Sequence, residues 1–184
     1  MLQLAALAAS TAAGRLRELA LHECAYVTDD GIVALAAGCR HLCSVSLAHT
    51  AVGDRGVQAL ASGCRELTRL RLDGCRIGEP SVRALAGACH ALRHLSVDGC
   101  DVSCAALTQL LPPALPSLRT VVLGKRWGSR AGHASALTRE SDERRELLHE
   151  LRSRRTDLQV FHSGDSRDLR LGSRAYWPVG RADH

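Results

Sequence analysis

A chain of 184 residues in which 46% are hydrophobic and only 3% aromatic must build its core from Leu, Val and Ala rather than from rings. Its 24 basic and 19 acidic residues give a net charge of +5 and are interspersed along most of the length, so no block of like charge points to a nucleic-acid partner. Eight cysteines with no basic-headed secretory segment before them read as reduced thiols, and a cytoplasmic or nuclear location is expected.

The opening stretch MLQLAALAASTAAGRLR carries no acid and is rich in Ala, a composition shared with transit peptides. The reading adopted is that Leu2–Ala13 is the helix of an incomplete first repeat, with residues 1–13 acting as an N-terminal cap. The longest apolar run falls well short of the roughly 20 residues that span a bilayer, so no membrane partner is expected.

From residue 14 a period takes over. Leu16, Leu42, Leu67, Leu92 and Leu118 follow one another at intervals of 26, 25, 25 and 26. Each opens a phrase L-x-x-L-x-L-x-x-C, complete at Cys24, Cys75 and Cys100, with Thr50 in the second copy and Arg126 in the last. The L-x-L core has the two-residue spacing of a short strand. Ile32, Leu35, Ala36 and Cys39 have the spacing of one helical face, repeated as Val57, Leu60, Ala61, Cys64 and as Val82, Leu85, Ala86, Cys89. Asp29 and Asp54 stand where N-caps are wanted, Pro80 suits a first helical turn, and Gly38 and Gly63 stand where a left-handed residue would end a helix.

One strand and one helix per repeat cannot bury their apolar sides alone, so the units must stack. Strands sit about 4.8 Å apart and packed helices roughly 8–10 Å apart, which curves the stack with strands inside. The expected fold is α/β: a right-handed β-α horseshoe segment with a parallel concave sheet and convex helices. Cys24, Cys75 and Cys100 at the turn after the strand, and Cys39, Cys64 and Cys89 on the helical face, are expected to be buried packing thiols. Cys39, His41 and Cys43 have metal-ligand chemistry, but the element assignment points them apart, so no metal is expected. Cys75 and Cys100 are near enough in the stack to consider a disulfide, which a reducing compartment disfavours.

The phrases LALHECAYVTDDGIVALAAGC, VSLAHTAVGDRGVQALASGC and LRLDGCRIGEPSVRALAGAC resemble the cysteine-containing class of leucine-rich repeats. That class occurs in F-box/leucine-rich-repeat proteins and in the antagonist-of-mitotic-exit-network proteins, which have similar repeats without the F-box. The resemblance covers residues 14–123. It departs from the class at Thr50, at the missing equivalents of Tyr26, and at Gly78-Glu79-Pro80 where Thr-Asp is common. It implies substrate recognition for a cullin-type ubiquitin ligase, or cell-cycle regulation of the mitotic-exit-antagonist kind. The stretch before the first strand is shorter than a three-helix F-box, so the chain by itself is expected to bind a target without delivering it.

Beyond residue 123 the pattern changes. GKRWGSRAGHAS reads as an exposed basic loop, Asp142–Arg155 as a helix with Leu147, Leu148 and Leu151 on one side, and Leu158–Phe161 as a strand pairing with Val121–Leu123. Residues 124–162 are read as a C-terminal cap and residues 163–184 as a disordered tail.

Strand positions between the core leucines should face the concave side: Glu18, Ala20 and His22; Ser44, Ser46 and Ala48; Arg69, Arg71 and Asp73; His94, Ser96 and Asp98; Thr120 and Val122. His94, Ser96 and Asp98 have the residue types of a catalytic triad, but alternate strand positions lie about 6–7 Å apart and a nucleophile needs its base within about 3 Å. No phosphate loop, HExxH helix or paired CxxC is present, so neither enzymatic activity nor a cofactor is expected. Two readings stay open for Arg69, Arg71 and His94: a basic recognition centre flanked by Asp73 and Asp98, or solvated charges neutralising one another. The functional expectation is a monomeric protein-binding module whose partner, on the resemblance, is a ubiquitin-ligase substrate. The alternative is a structural or assembly-factor repeat protein, organellar if the acid-free N-terminus is a transit segment.

Overall fold

The computed structural model describes residues 2–103, 106–107, 114–123, 149 and 157–162. Apart from the helical His149, the expected cap helix lies outside the described residues, as do the basic loop after Leu123 and the tail from residue 163.

In chain order the elements are helix α1 (Leu2–Ala8), a 3-10 turn (Ala13–Arg15), β1 (Glu18–Ala20), α2 (Asp29–Gly38), β2 (Ser44–Ser46), α3 (Asp54–Gly63), β3 (Arg69–Arg71), α4 (Glu79–Ala88), β4 (His94–Ser96), β5 (Thr120–Leu123) and β6 (Gln159–His162). The strands form one six-stranded sheet in the order β1-β2-β3-β4-β5-β6, every neighbouring pair parallel. Leu19, Val45, Leu70, Leu95, Val121 and Val160 share one row of the register, so the L-x-L phrase of every repeat sends its middle residue to the same side. There they meet the helical face: Ile32, Leu35, Val57, Leu60, Val82 and Leu85 are buried, and Ala86 is half-buried. A buried Leu or Ile contributes about 1.5–3 kcal/mol, and most of that burial comes from neighbouring repeats.

The glycines at the helix ends have a different cause from the one expected. Gly38 and Gly63 lack the left-handed conformation, which falls instead on Glu23, His49, Gly74 and Gly99, the residue before each ladder position. A Cβ on Gly38 would lie 2.1 Å from the Ala8 carbonyl oxygen, and one on Gly63 would lie 2.6 Å from that of Ala36. The ends of α2 and α3 therefore meet the preceding helix backbone to backbone, and glycine is needed for space.

The helix N-termini also depart from expectation. Asp29 and Asp54 are the first helical residues, and neither Thr28 nor Gly53, one position earlier, makes a side-chain cap. Each carboxylate serves the next repeat instead. Asp29 Oδ1 accepts from the N–H groups of Gly53 (2.7 Å) and Gly56 (3.0 Å), and Asp54 Oδ1 from those of Gly78 (2.9 Å) and Ser81 (3.2 Å) and from the Ser81 hydroxyl (2.5 Å). Glu79 continues the series by accepting from Ser103 Oγ, which caps the N–H of Ala106. The orphan donors that every helix start exposes are thus satisfied from the preceding repeat, a contact that exists only when repeats are stacked.

Five of the six packing cysteines are buried: Cys39, Cys64, Cys75, Cys89 and Cys100. Cys24 is not. Cys75 Sγ donates to the Leu47 carbonyl and Cys100 Sγ to the Leu72 carbonyl, each 3.0 Å away on the preceding repeat, and β1 is the edge of the sheet, with no earlier strand beside it to cover Cys24. Thr50 keeps a donor at the ladder position but turns it to Leu47 of its own repeat, at 2.7 Å. Burial pushes the Cys64 and Cys100 thiols up to about 12 and Cys89 to about 11, and raises Cys39 and Cys75 as well. In the folded chain at pH 8 a maleimide should therefore label Cys24 while these five react only after denaturation. Peptide mass spectrometry checks this, and early labelling of Cys75 or Cys100 would show that the repeats do not stack as described.

Candidate binding face

The helices lie on one side of the sheet, and the other side carries the side chains that alternate with the core leucines. Two rows run across it. Glu18, Ser44, Arg69, His94, Thr120 and Gln159 form one; Ala20, Ser46, Arg71, Ser96 and Val122 form the other. All the sequence-identified positions at 18, 20, 44, 46, 69, 71, 94, 96, 120 and 122 are in these rows, with His22, Ala48, Asp73 and Asp98 at the strand exits.

Not all of them are open. Ser44, Ser46, Ala48, Asp73, Ser96 and Thr120 are buried, Arg69, Arg71, His94, Asp98 and Val122 are half-buried, and Glu18, Ala20 and His22 are exposed. The short side chains lie beneath the long ones. Arg69 reaches across Ser44 of the intervening strand to pair with Glu18, Nη2 to Oε1 2.9 Å, and His22 Nδ1 lies 2.8 Å from Ser46 Oγ. Arg71 Nε donates to Asp73 Oδ2 at 2.5 Å, while the other oxygen of Asp73 accepts from Ser96 Oγ and from the backbone N–H of Asp98 (3.1 Å).

These contacts show how the charges are paired. Arg69 and Arg71 are neutralised by Glu18 and Asp73, and His94 is held below its ordinary value of 6.5 by burial and then by the positive fields of Arg69, Arg93 and Arg119. The centre of the strand face is therefore a polar network in which both arginines are paired with carboxylates. Ser96 gives its hydroxyl to Asp73, not to His94, which removes the geometry of a triad. Cys39 is in the core, His41 Nδ1 is 2.8 Å from Glu66 and Cys43 Sγ donates to the His41 carbonyl; among the described residues no group of three potential ligands converges on a metal position.

One polar cluster was missed from the sequence because its members come from three repeats. At the amino-terminal ends of the strands, Arg17 Nη1 lies 2.6 Å from Glu66 Oε2, and His41 occupies the other carboxylate oxygen. Arg17 is raised from its ordinary value first by its contact with Cys43 Sγ and then by Glu66, and Glu66 is lowered first by its hydrogen bond with His41 and then by that with Arg17. Aligning the repeats on their first leucine would have put Arg17 and Glu66 on the same edge.

A family model described as Leucine Rich repeat matches residues 38–61. No curated protein matches the chain. Among solved structures, the Leiomodin-1 Actin-Binding Site 2 structure is similar over 84% of this chain and 92% of that one, with a TM-score of 0.51 and 14% identity. The Caenorhabditis elegans tropomodulin C-terminal domain is similar over 84% and 96%, with a TM-score of 0.50 and 16% identity. The fold is a leucine-rich-repeat solenoid. At such low identities the likeness carries the fold and no partner. Within the solenoid, no described helix is long and apolar enough to cross a membrane.

Proposed function

We propose that this solenoid is a non-enzymatic protein-binding module that receives its partner on the concave face. One observation carries the reading: the helices cover a single side of the sheet, so every repeat contributes in-register side chains to a rigid surface that no described helix covers. Glu18, Ala20, His22, Arg69, His94, Asp98 and Val122 are its accessible parts. Internal pairing fixes the two central arginines in place, so a partner meets preorganised groups and little side-chain freedom is lost on binding. The face has no described aromatic anchor, which sets moderate rather than extreme affinity.

The cysteine-containing phrases support a finer form of this reading, substrate recognition of the F-box/leucine-rich-repeat or mitotic-exit-antagonist kind. The test is quantitative affinity purification with the wild type and with the double substitution Glu18→Arg, Arg69→Glu. The swap keeps the ion pair and inverts the surface. Partners of the face should fall about tenfold or more in the swapped form; ligase subunits or a ligase substrate among them would support the finer reading. Actin is scored in the same experiment, since one structural neighbour is named for an actin-binding site. Identical partner lists would show that the face is not the binding surface.

A further inference from the structure

The charges that are interspersed in sequence are sorted in space. A period of 25 or 26 residues returns each helix end to the same edge of the sheet, so residues between a helix and the next strand collect on one rim and residues between a strand and the next helix on the other. Arg15, Arg17, Arg40, Arg65, Arg93 and Arg119 are all exposed on the first rim. Glu23, Asp29, Asp54, Glu79, Asp98 and Asp101 lie on the second. The second rim's charge is largely used within the fold, since Asp29, Asp54 and Glu79 hold the next repeat and Asp30 pairs with Arg55 at 2.7 Å.

The first rim's charge is not. Arg17 is paired with Glu66, but Arg15, Arg40, Arg65, Arg93 and Arg119 make no side-chain hydrogen bond or ion pair among the described residues. Helix dipoles favour cations where Arg40 and Arg65 follow α2 and α3. They do not account for Arg93 and Arg119, which enter adjacent strands, tied by the bond from the Arg119 N–H to the Arg93 carbonyl at 2.8 Å. We propose that this rim is a docking surface for an acidic polypeptide segment lying across the strand entries. Arginine's planar fork suits carboxylates, and the rim already holds one: Glu66 receives Arg17 on one oxygen and His41 on the other. A single-stranded nucleic acid would need aromatic platforms, and the one large apolar side chain exposed among the described residues, Tyr26, is on the opposite rim. This surface is separate from the concave face and stands or falls without it.

His94 reports on the site from within the fold: burial and then Arg69 hold its imidazole low, and the rim's Arg93 and Arg119 add to that. The experiment uses the full chain and a fluorescein-labelled peptide of alternating Glu and Gly, long enough to cross five strands at about 4.8 Å each. Anisotropy should show salt-sensitive binding that weakens about tenfold or more in Arg65→Glu, Arg93→Glu and less than about twofold in the opposite-rim control Arg55→Glu, Arg76→Glu. In the wild type the peptide should move the His94 ring titration, followed by NMR, to higher pH. The concave swap Glu18→Arg, Arg69→Glu should leave peptide affinity within about twofold, which separates this surface from the face. Equal losses in both rim variants, no binding, or an unmoved His94 titration would overturn the proposal. So would tighter binding of a single-stranded oligonucleotide of equal charge that is lost in the same variant.

Discussion

Replacing Gly63 by alanine should lower stability by about 1–3 kcal/mol, although alanine in a helix normally gains about 0.8–1.0 kcal/mol over glycine. The sign is set by space. The added methyl would lie 2.6 Å from a backbone carbonyl oxygen of α2, and no flexible side chain can move aside. Gly87, near the end of α4, has nothing within 4 Å of its missing Cβ, so Gly87→Ala should follow propensity and stabilise by about 0.5–1 kcal/mol. Urea unfolding of the two variants therefore gives midpoint shifts of opposite direction. Two shifts in the stabilising direction would mean that α2 and α3 do not meet as closely as described.

The second large effect is expected at Asp73. Its carboxylate is buried and holds Arg71, Ser96 and the N–H of Asp98 together, joining β3 to β4 on the concave side. Asp73→Ala removes the charge-assisted acceptor from all three and should cost about 3 kcal/mol. Asp98 is chemically the same residue one repeat later, half-buried, and among the described residues its carboxylate makes no side-chain hydrogen bond or ion pair. Asp98→Ala should cost less than about 0.5 kcal/mol. Comparable losses at the two positions in chemical denaturation would show that the Asp73 network contributes no more than an exposed charge does.

The fold was legible because a solenoid repeats its rule. Leu16, Leu42, Leu67, Leu92 and Leu118 set the period, the two spacings within it separated strand from helix, and stacking followed from the apolar area each unit leaves uncovered. Even the last strand could be read from Leu158–Phe161, because alternation does not depend on what comes before it; β6 pairs in parallel with β5. What a single repeat cannot show is how it touches the next. Asp29 and Asp54 resemble caps of their own helices, yet the parallel arrangement puts each carboxylate closer to the following helix. Gly38 and Gly63 resemble chain-reversing glycines, yet their lack of a side chain is used by the helix beside them.

The candidate face was legible in membership but not in depth. Period-two alternation groups Ser44, Ser46, Ser96 and Thr120 with the strand positions between the core leucines, and it has no means of showing that Arg69 passes over Ser44 to Glu18. Side-chain length decides that. A serine flanked by an arginine two strands from a glutamate is covered whatever side it faces. The charged rims were hidden for a related reason: intervals of 25 scatter the arginines evenly along the sequence and gather them on one edge of the sheet.

The most direct test of the binding face is photo-crosslinking in cells from two single positions. Benzoylphenylalanine at Ala20 places the probe on the exposed start of the concave row, and at Gln58 on the exposed outer side of α3. Capture of a protein partner from Ala20 and none from Gln58 is the predicted result. Capture from Gln58 with none from Ala20 would contradict the account and move recognition to the convex side.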